Sequence, residues 1–297
     1  MGKILITGVN GYLGGIITKE ILENSDYDVL AVASSQEKVE DMLTRMQITE
    51  KERVTFMSNA DCINMDISLE DIDGAVHLAF ARRVRPAADI ASSLNYAESV
   101  FKKLAKYEVD RVINMSSQGI YGSTEEFRTE QTPAAPATHY TMAKYASEIL
   151  FNNIMEKTPK HTCFRLDLVA QSQNIVKALC NQAKEGKISL KGGKQIFSFI
   201  DGEDVGRAVL AMLSAEGTWD RTYNVGWNRR RYNLVEVADT IADAAVKCGF
   251  ERPEITLDEQ DISLWAGMDS SRFMEKTGWK PQLSLGDTAY NILRAED

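Results

Sequence analysis

Residues 3–14 read Lys3-Ile4-Leu5-Ile6-Thr7-Gly8-Val9-Asn10-Gly11-Tyr12-Leu13-Gly14, and this stretch decides the fold. An apolar run of strand length, Lys3–Thr7, ends in a glycine-rich turn. A helix, Tyr12–Leu22, follows with Leu13, Ile16, Ile17 and Ile21 on one face. Glycines at 8, 11 and 14 let the chain turn sharply, let main chain approach a pyrophosphate, and let helix pack tightly on strand. The helix N-terminus adds free amides and the positive end of its dipole. The spacing is GxxGxxG rather than GxGxxG, and taken alone it reads equally well as a helix-start turn. Its place after an N-terminal strand points to a bound dinucleotide, with Gly8, Asn10, Gly11, Tyr12, Leu13 and Gly14 as contacts.

Outward from this turn the pattern repeats. Strands are expected at Asp28–Ala33, Arg53–Met57, Gly74–Phe80 and Arg111–Met115, with helices at Glu37–Ile48 and Ala87–Tyr107 between them. Such alternation specifies a doubly wound parallel sheet covered on both faces. A loop with Pro133 and Pro136 leads to a helix over Thr138–Lys157 and a sixth strand, Thr162–Val169. Beyond it, helical stretches at 173–186, 204–215 and 233–247 mix with short strands near 188–200 and 222–225. The division expected is 1–169 and 170–297, the second a smaller α/β lobe with segments near 200–230 returning to the first.

The 297 residues suffice for a full core, and the formal charge of −9 argues against gripping a phosphate backbone, so no nucleic acid partner is expected. Four cysteines without a CxxC pair fit reduced thiols, and three histidines without ligand spacing leave no metal site expected. No apolar run approaches the ~18 residues of a membrane span, and Met1–Gly8 carries no signal pattern. The expectation is a soluble, cytoplasmic protein with a small-molecule substrate and no membrane partner.

The end of the second strand reads the adenosine ribose in such folds. Here Ser34, Ser35 and Lys38 stand where an acid would favour NAD, which leans the choice between NAD and NADP slightly to NADP. Ser34 serves equally as a helix cap. Asp66 and Ile67 are candidates for the adenine, and a plain loop acid is the alternative. Ser116 and Ser117 end the fifth strand, where open sheets place ligands. Tyr140 and Lys144 are spaced i, i+4 and share a helix face. A lone YxxxK pair says little, but glycine turn, strand-end hydroxyl and Tyr/Lys pair together are the parts for moving a hydride and a proton. A neighbouring ammonium favours tyrosinate, so Tyr140 can exchange a proton near neutrality.

These residues resemble the extended short-chain dehydrogenases/reductases, the NAD-dependent epimerase/dehydratase family. The resemblance runs through TGVNGYLG at 7–14, HLAFA at 77–81, MSSQGIYG at 115–122, YTMAK at 140–144, FIDGEDVGRA at 199–208, YNVGW at 223–227 and TGWKP at 277–281. It implies a Rossmann domain with a smaller C-terminal substrate lobe, and a homodimer formed through two helices of each subunit. It implies catalysis by Ser117, Tyr140 and Lys144, with Ser116 as support. It also implies cofactor contacts at Leu78, Ala79, Phe80, Tyr140 and Lys144.

Departures from the family narrow the chemistry. Sugar-nucleotide dehydratases of this kind carry Asp-Glu after the hydroxyl residue, where this chain has Gln118 and Gly119, so water elimination is not expected. Many sugar-nucleotide enzymes carry an Arg where Phe197 stands. Arg82, Arg83 and Arg85 after the fourth strand, and Arg230 within Arg229–Arg231, are candidates for a substrate phosphate, with solvated turns as the alternative. The leading expectation is a nucleotide-sugar epimerase or keto-reductase. The rivals are a reductase of a non-sugar aldehyde, ketone or acyl thioester, and a catalytically silent NAD(P)-binding sensor.

Overall fold

In the computed structural model, which describes residues 2–82, 84–172 and 174–295, the opening stretch forms β1 (Lys3–Thr7) and α1 (Tyr12–Asn24). There follow β2 (Asp28–Ala33), α2 (Gln36–Arg45), β3 (Val54–Ser58), α3 (Asn59–Ile63), β4 (Gly74–His77), α4 (Ala87–Lys106), β5 (Arg111–Ser117), α5 (His139–Ile154) and β6 (Lys160–Leu166). The rest comprises β7 (Leu168–Val169), α6 (Asn174–Lys184), β8 (Lys187–Phe197), β9 (Phe199–Ile200), α7 (Gly202–Leu213) and β10 (Thr222–Val225). It ends with β11 (Tyr232–Asn233), α8 (Leu234–Lys247), β12 (Glu254–Trp265), α9 (Ser271–Thr277) and α10 (Leu285–Arg294).

Seven strands form one sheet in the order β3-β2-β1-β4-β5-β6-β10. β1 pairs in parallel with both β2 and β4, Leu5 lying opposite Leu30 and Ala75. Ile4, Leu5 and Ile6 are wholly buried, as expected of a central strand covered on both faces. Strand order reverses between β1 and β4, so a switch point opens beyond their C-terminal ends, where Rossmann folds bind ligands. Gly8 and Ala79 stand there.

β4 is shorter than the expected Gly74–Phe80. The Leu78 and Ala79 amides donate to Thr7 Oγ1 at 3.2 and 3.3 Å, and the chain leaves the sheet. β5 runs two residues further than expected, through Ser117. The expected strand Thr162–Val169 breaks at Asp167, whose carboxylate accepts from the Leu168 amide at 3.0 Å. The two residues beyond the break form β7, which pairs with β9 in a separate ribbon.

The chain divides into two compact units. The first comprises Met1–Gly122, Pro133–Arg165 and Val205–Tyr223; the second comprises Ser123–Thr132, Leu166–Asp204 and Asn224–Asp297. Where the sequence suggested a cut after residue 169, the division falls after 165, returns 205–223 to the first unit and gives 123–132 to the second. In the second unit a mixed sheet, β11-β8-β12, packs with α6, α8 and α10 around Val176, Leu190, Phe197, Val237, Ile241 and Leu293. Each wholly buried aliphatic side chain in such a core contributes about 1.5–3 kcal/mol. No helix among the described residues is long and apolar enough to cross a membrane.

Candidate active site

The glycine turn is built as a cradle. Gly8 takes φ +68°, and a Cβ there would lie 2.9 Å from the Ala79 amide nitrogen, so only glycine lets β1 and the exit of β4 approach this closely. A Cβ at Gly14 would lie 2.5 Å from the Gly8 and Val9 carbonyl oxygens, which is the tight helix packing expected of the third glycine. Gly11 is the N-cap of α1, and its missing side chain offers no cap to the first-turn amides. An open helix N-terminus behind a glycine turn fits a pyrophosphate.

Thr7 joins the two central strands. Its hydroxyl accepts from the Leu78 and Ala79 amides, so its own hydrogen is left for His77 Nδ1, 2.8 Å away. Burial, together with the charge of Lys144, keeps His77 neutral, its pKa lowered to about 3. His77 is therefore a core residue, in line with its place inside a buried strand.

α5 carries the proposed proton-transfer pair. Thr138 caps it reciprocally with Thr141: the Thr141 amide donates to Thr138 Oγ1 at 3.2 Å and the Thr138 amide to Thr141 Oγ1 at 3.0 Å. That start puts Tyr140 in the first turn and Lys144 one turn on. The Lys144 ammonium is buried and donates to the Met115 carbonyl on β5 at 2.7 Å. Burial lowers its pKa to about 8, against the opposing pull of Cys163 and Glu148. Two residues beyond Met115, Ser117 Oγ accepts from the Gly119 amide at 3.1 Å, and its hydroxyl hydrogen remains a donor. Phe80 completes the cluster: Lys144 Nζ lies 4.1 Å from its ring centroid, and the Tyr140 ring meets it edge-on at 6.2 Å.

Below the pair, Arg165 forks onto Glu148. Its Nε lies 3.1 and 3.2 Å from the two carboxylate oxygens, and its terminal nitrogen 2.7 Å from one of them. Its guanidinium also stacks on Tyr121 at 4.7 Å. Burial pulls the Arg165 pKa down, but the hydrogen bonds and charge of Glu148 more than offset it, and the net shift is upward.

A cavity of about 370 Å³ opens beside the glycine turn, lined among others by Gly8, Asn10, Ser34, Lys38, Asn59 and Phe80. Lys38 Nζ donates to Ser34 Oγ at 2.8 Å, which holds the ammonium at its rim, and no carboxylate lines it. This donor set suits an adenosine end bearing an anionic group. Asp66 and Ile67, expected at the adenine, lie in the turn after α3 and are not among the residues lining the cavity. Asn59, the first residue past β3, does. Ser35 holds the N-cap position of α2 without a side-chain hydrogen bond to the helix, and Leu78 lies between the joint at Thr7 and the cavity wall.

The sequence-predicted substrate residues divide between the two units. Arg82 is exposed, Arg85 pairs with Asp89 at 2.8 Å, and Arg83 lies outside the described residues. Phe197 belongs to the second unit and is core rather than a presented side chain: it is 6% exposed and stacks on Phe199, with ring planes 9° apart. Arg230, also in the second unit, lies over the Tyr232 ring at 4.6 Å. Sequence reasoning missed Asn59, Ser92, Ser93 and Tyr96 in the cavity wall. Asn59 was findable as the strand-end residue, whereas the two serines sit on a helix with no local signal. Among the described residues no group of three His, Cys, Asp or Glu could hold a metal ion.

Comparison with known proteins places these features in context. The family model described as NAD dependent epimerase/dehydratase family matches residues 4–226. A dTDP-glucose 4,6-dehydratase of Escherichia coli is 25% identical over 94% of this chain and 88% of its own length. Among solved structures, UDP-glucuronic acid 4-epimerase from Bacillus cereus in complex with NAD superposes with a TM-score of 0.81 at 18% identity, covering 98% of this chain and 96% of that one. UDP-glucose 4-epimerase from Thermotoga maritima with UDP-glucose gives 0.79 at 22%, covering 98% and 97%. At these identities the two structures speak for the fold.

Proposed function

The chain belongs to the NAD dependent epimerase/dehydratase family, and from that premise we propose that it is a nucleotide-sugar epimerase or keto-reductase, acting at a secondary alcohol or carbonyl without eliminating water. The observation that carries this reading is the lack of room at Gly119. A Cβ there would lie 2.8 Å from Thr141 Cγ2, so the acidic side chain that dehydratases of the family place after the hydroxyl residue would have to displace that methyl. Gln118 beside it is an amide, 5% exposed. What remains is a hydroxyl, a phenol and an ammonium, the set needed for exchange between alcohol and carbonyl.

In this reading Tyr140 takes the proton of the reacting hydroxyl, or returns it to a carbonyl oxygen. Ser117 donates its free hydrogen to the same oxygen and orients it. Lys144, anchored on the Met115 carbonyl, stabilises the phenolate by charge. When bound, the nicotinamide ring supplies the hydride acceptor and donor. The glycine turn binds the pyrophosphate through main-chain amides. Ser34 and Lys38 at a cavity wall without carboxylates support NADP over NAD as the dinucleotide. Met142 and Ile149, 54% and 55% exposed and seven residues apart on α5, support a homodimer through α4 and α5.

A second reading, reduction of a carbonyl without a nucleotide moiety, draws support from Phe197, which is packed in a core where many sugar-nucleotide enzymes hold an arginine. One panel separates the two. Nucleotide sugars, nucleotide keto-sugars and free aldehydes or ketones are offered with NAD, NADP and their reduced forms. Turnover is expected on the nucleotide-linked substrates, and Tyr140→Phe is expected to lower it ~10²–10⁴-fold while dinucleotide still binds. Turnover on free carbonyls alone, or an unaffected Tyr140→Phe enzyme, overturns the proposal.

A further inference from the structure

Phe80 leaves β4 where one residue reaches both the dinucleotide cavity and the Tyr140–Lys144 pair. Its ring lines the cavity. Lys144 Nζ lies 4.1 Å from its centroid, and the Tyr140 ring meets it edge to face, 6.2 Å away with planes at 81°. Lys144 is 5% exposed, and its ammonium has the Met115 carbonyl at 2.7 Å.

The groups facing this ammonium supply little negative charge. On its own helix, the Glu148 carboxylate is engaged by the Arg165 fork. From β4, His77 is held neutral by burial. From β6, Cys163 is held as the thiol, its pKa raised well above the ordinary value by burial. A desolvated cation in such a place gains from an aromatic face what it lacks in a counter-ion. We infer that Phe80 is a positioning residue, whose ring face seats the Lys144 ammonium and whose contact with Tyr140 sets the phenol beside it before any ligand binds. This rests on the reading of Tyr140 and Lys144 as the proton-transfer pair. It gives Phe80 a task beyond lining the cofactor cavity.

The test is an ultraviolet tyrosinate titration of the full chain without added ligand, each variant measured against its own Tyr140→Phe partner to isolate the Tyr140 signal. Wild type is expected to titrate below the ordinary tyrosine value of about 10. Phe80→Leu removes the π face and is expected to raise the Tyr140 midpoint by about one unit. Phe80→Trp, which keeps a π face, is expected to hold it near wild type. A leucine variant titrating like wild type, or a tryptophan variant raised as far as leucine, overturns the role of Phe80. Thermal melting monitors folding, and Phe80→Met replaces leucine if that variant does not fold. A wild-type midpoint at the ordinary value would sink the proton-transfer reading of Tyr140 and this inference with it, an outcome distinct from loss of the Phe80 effect alone.

Discussion

Arg165 in the first unit and Arg128 in the second are both buried, and main-chain carbonyls take part in holding the second. Arg165 meets a carboxylate, Glu148, in a fork. Arg128, 1% exposed, donates to main-chain carbonyls, those of Gly267 at 3.4 Å and of Trp265. The main chain repeats the clasp: the Arg128 amide donates to the Gly267 carbonyl, and the Asp269 amide donates to that of Arg128 at 2.8 Å. In the first unit charge answers charge, on the same helix that carries Tyr140 and Lys144. In the second, Arg128 ties a loop through main-chain carbonyls while its charge also steadies the buried Asp167 carboxylate. The difference lies in arrangement: a forked carboxylate on α5 in the first unit, main-chain carbonyls together with the charge of Asp167 in the second.

The largest expected effect breaks the first arrangement. Glu148→Gln leaves Arg165 buried without its counter-charge and should cost about 3–5 kcal/mol in urea unfolding, with Arg165→Met added in the same chain recovering part of the loss. Arg128→Met frees main-chain carbonyls and removes a charge that steadies the buried Asp167 carboxylate, and should cost about 1–3 kcal/mol. Equal losses from the two changes would erase the distinction between the units.

Lys144→Met sharpens the comparison through pH. The folded-state pKa of about 8 lies below the ordinary 10.5. Below pH 8 both folded and unfolded chains hold the proton, and the whole cost of burying it is present. Between 8 and 10.5 the unfolded chain binds the proton more, so wild-type stability rises with pH and the cost fades. The methionine variant should therefore be more stable than wild type at pH 7, by about 2 kcal/mol after loss of the Met115 hydrogen bond. The gain should vanish as pH approaches 10.5, read by melts across that range. Smallest is the exposed lysine: Lys38→Glu should weaken NADP binding about tenfold, or about 1.4 kcal/mol, and change NAD binding less, measured by calorimetry.

Much of the first unit was legible because its signals are local. The glycine turn follows a strand directly, and Tyr140 and Lys144 share a helix face at fixed spacing. Ser117 sits at a strand end. The second unit was less legible. β12 runs as an exposed edge strand with a register shift between Glu259 and Ser263, which breaks the alternation a strand shows in sequence. α3 is five residues long, too short for a periodic signal, although Ser58 caps it with a hydrogen bond to the Asp61 amide. α10 did carry its signal, since Ser284 and Asp287 form a capping box, yet its nearly three turns were not anticipated. Phe197 was misleading for a different reason. Beyond its sequence neighbour Phe199, the residues that bury it, Tyr232 and Leu234 among them, come from distant parts of the chain.

The methyl of Thr141 has a consequence for anyone redesigning this scaffold. Grafting an acid at position 119 collides with that methyl, but deleting the whole side chain would strip the hydroxyl that closes the α5 cap and loosen the helix bearing Tyr140. Thr141→Ser is the one trimming that removes the carbon and keeps the oxygen. A route to new elimination chemistry here therefore begins with that apparently silent exchange, and only afterwards with the acid.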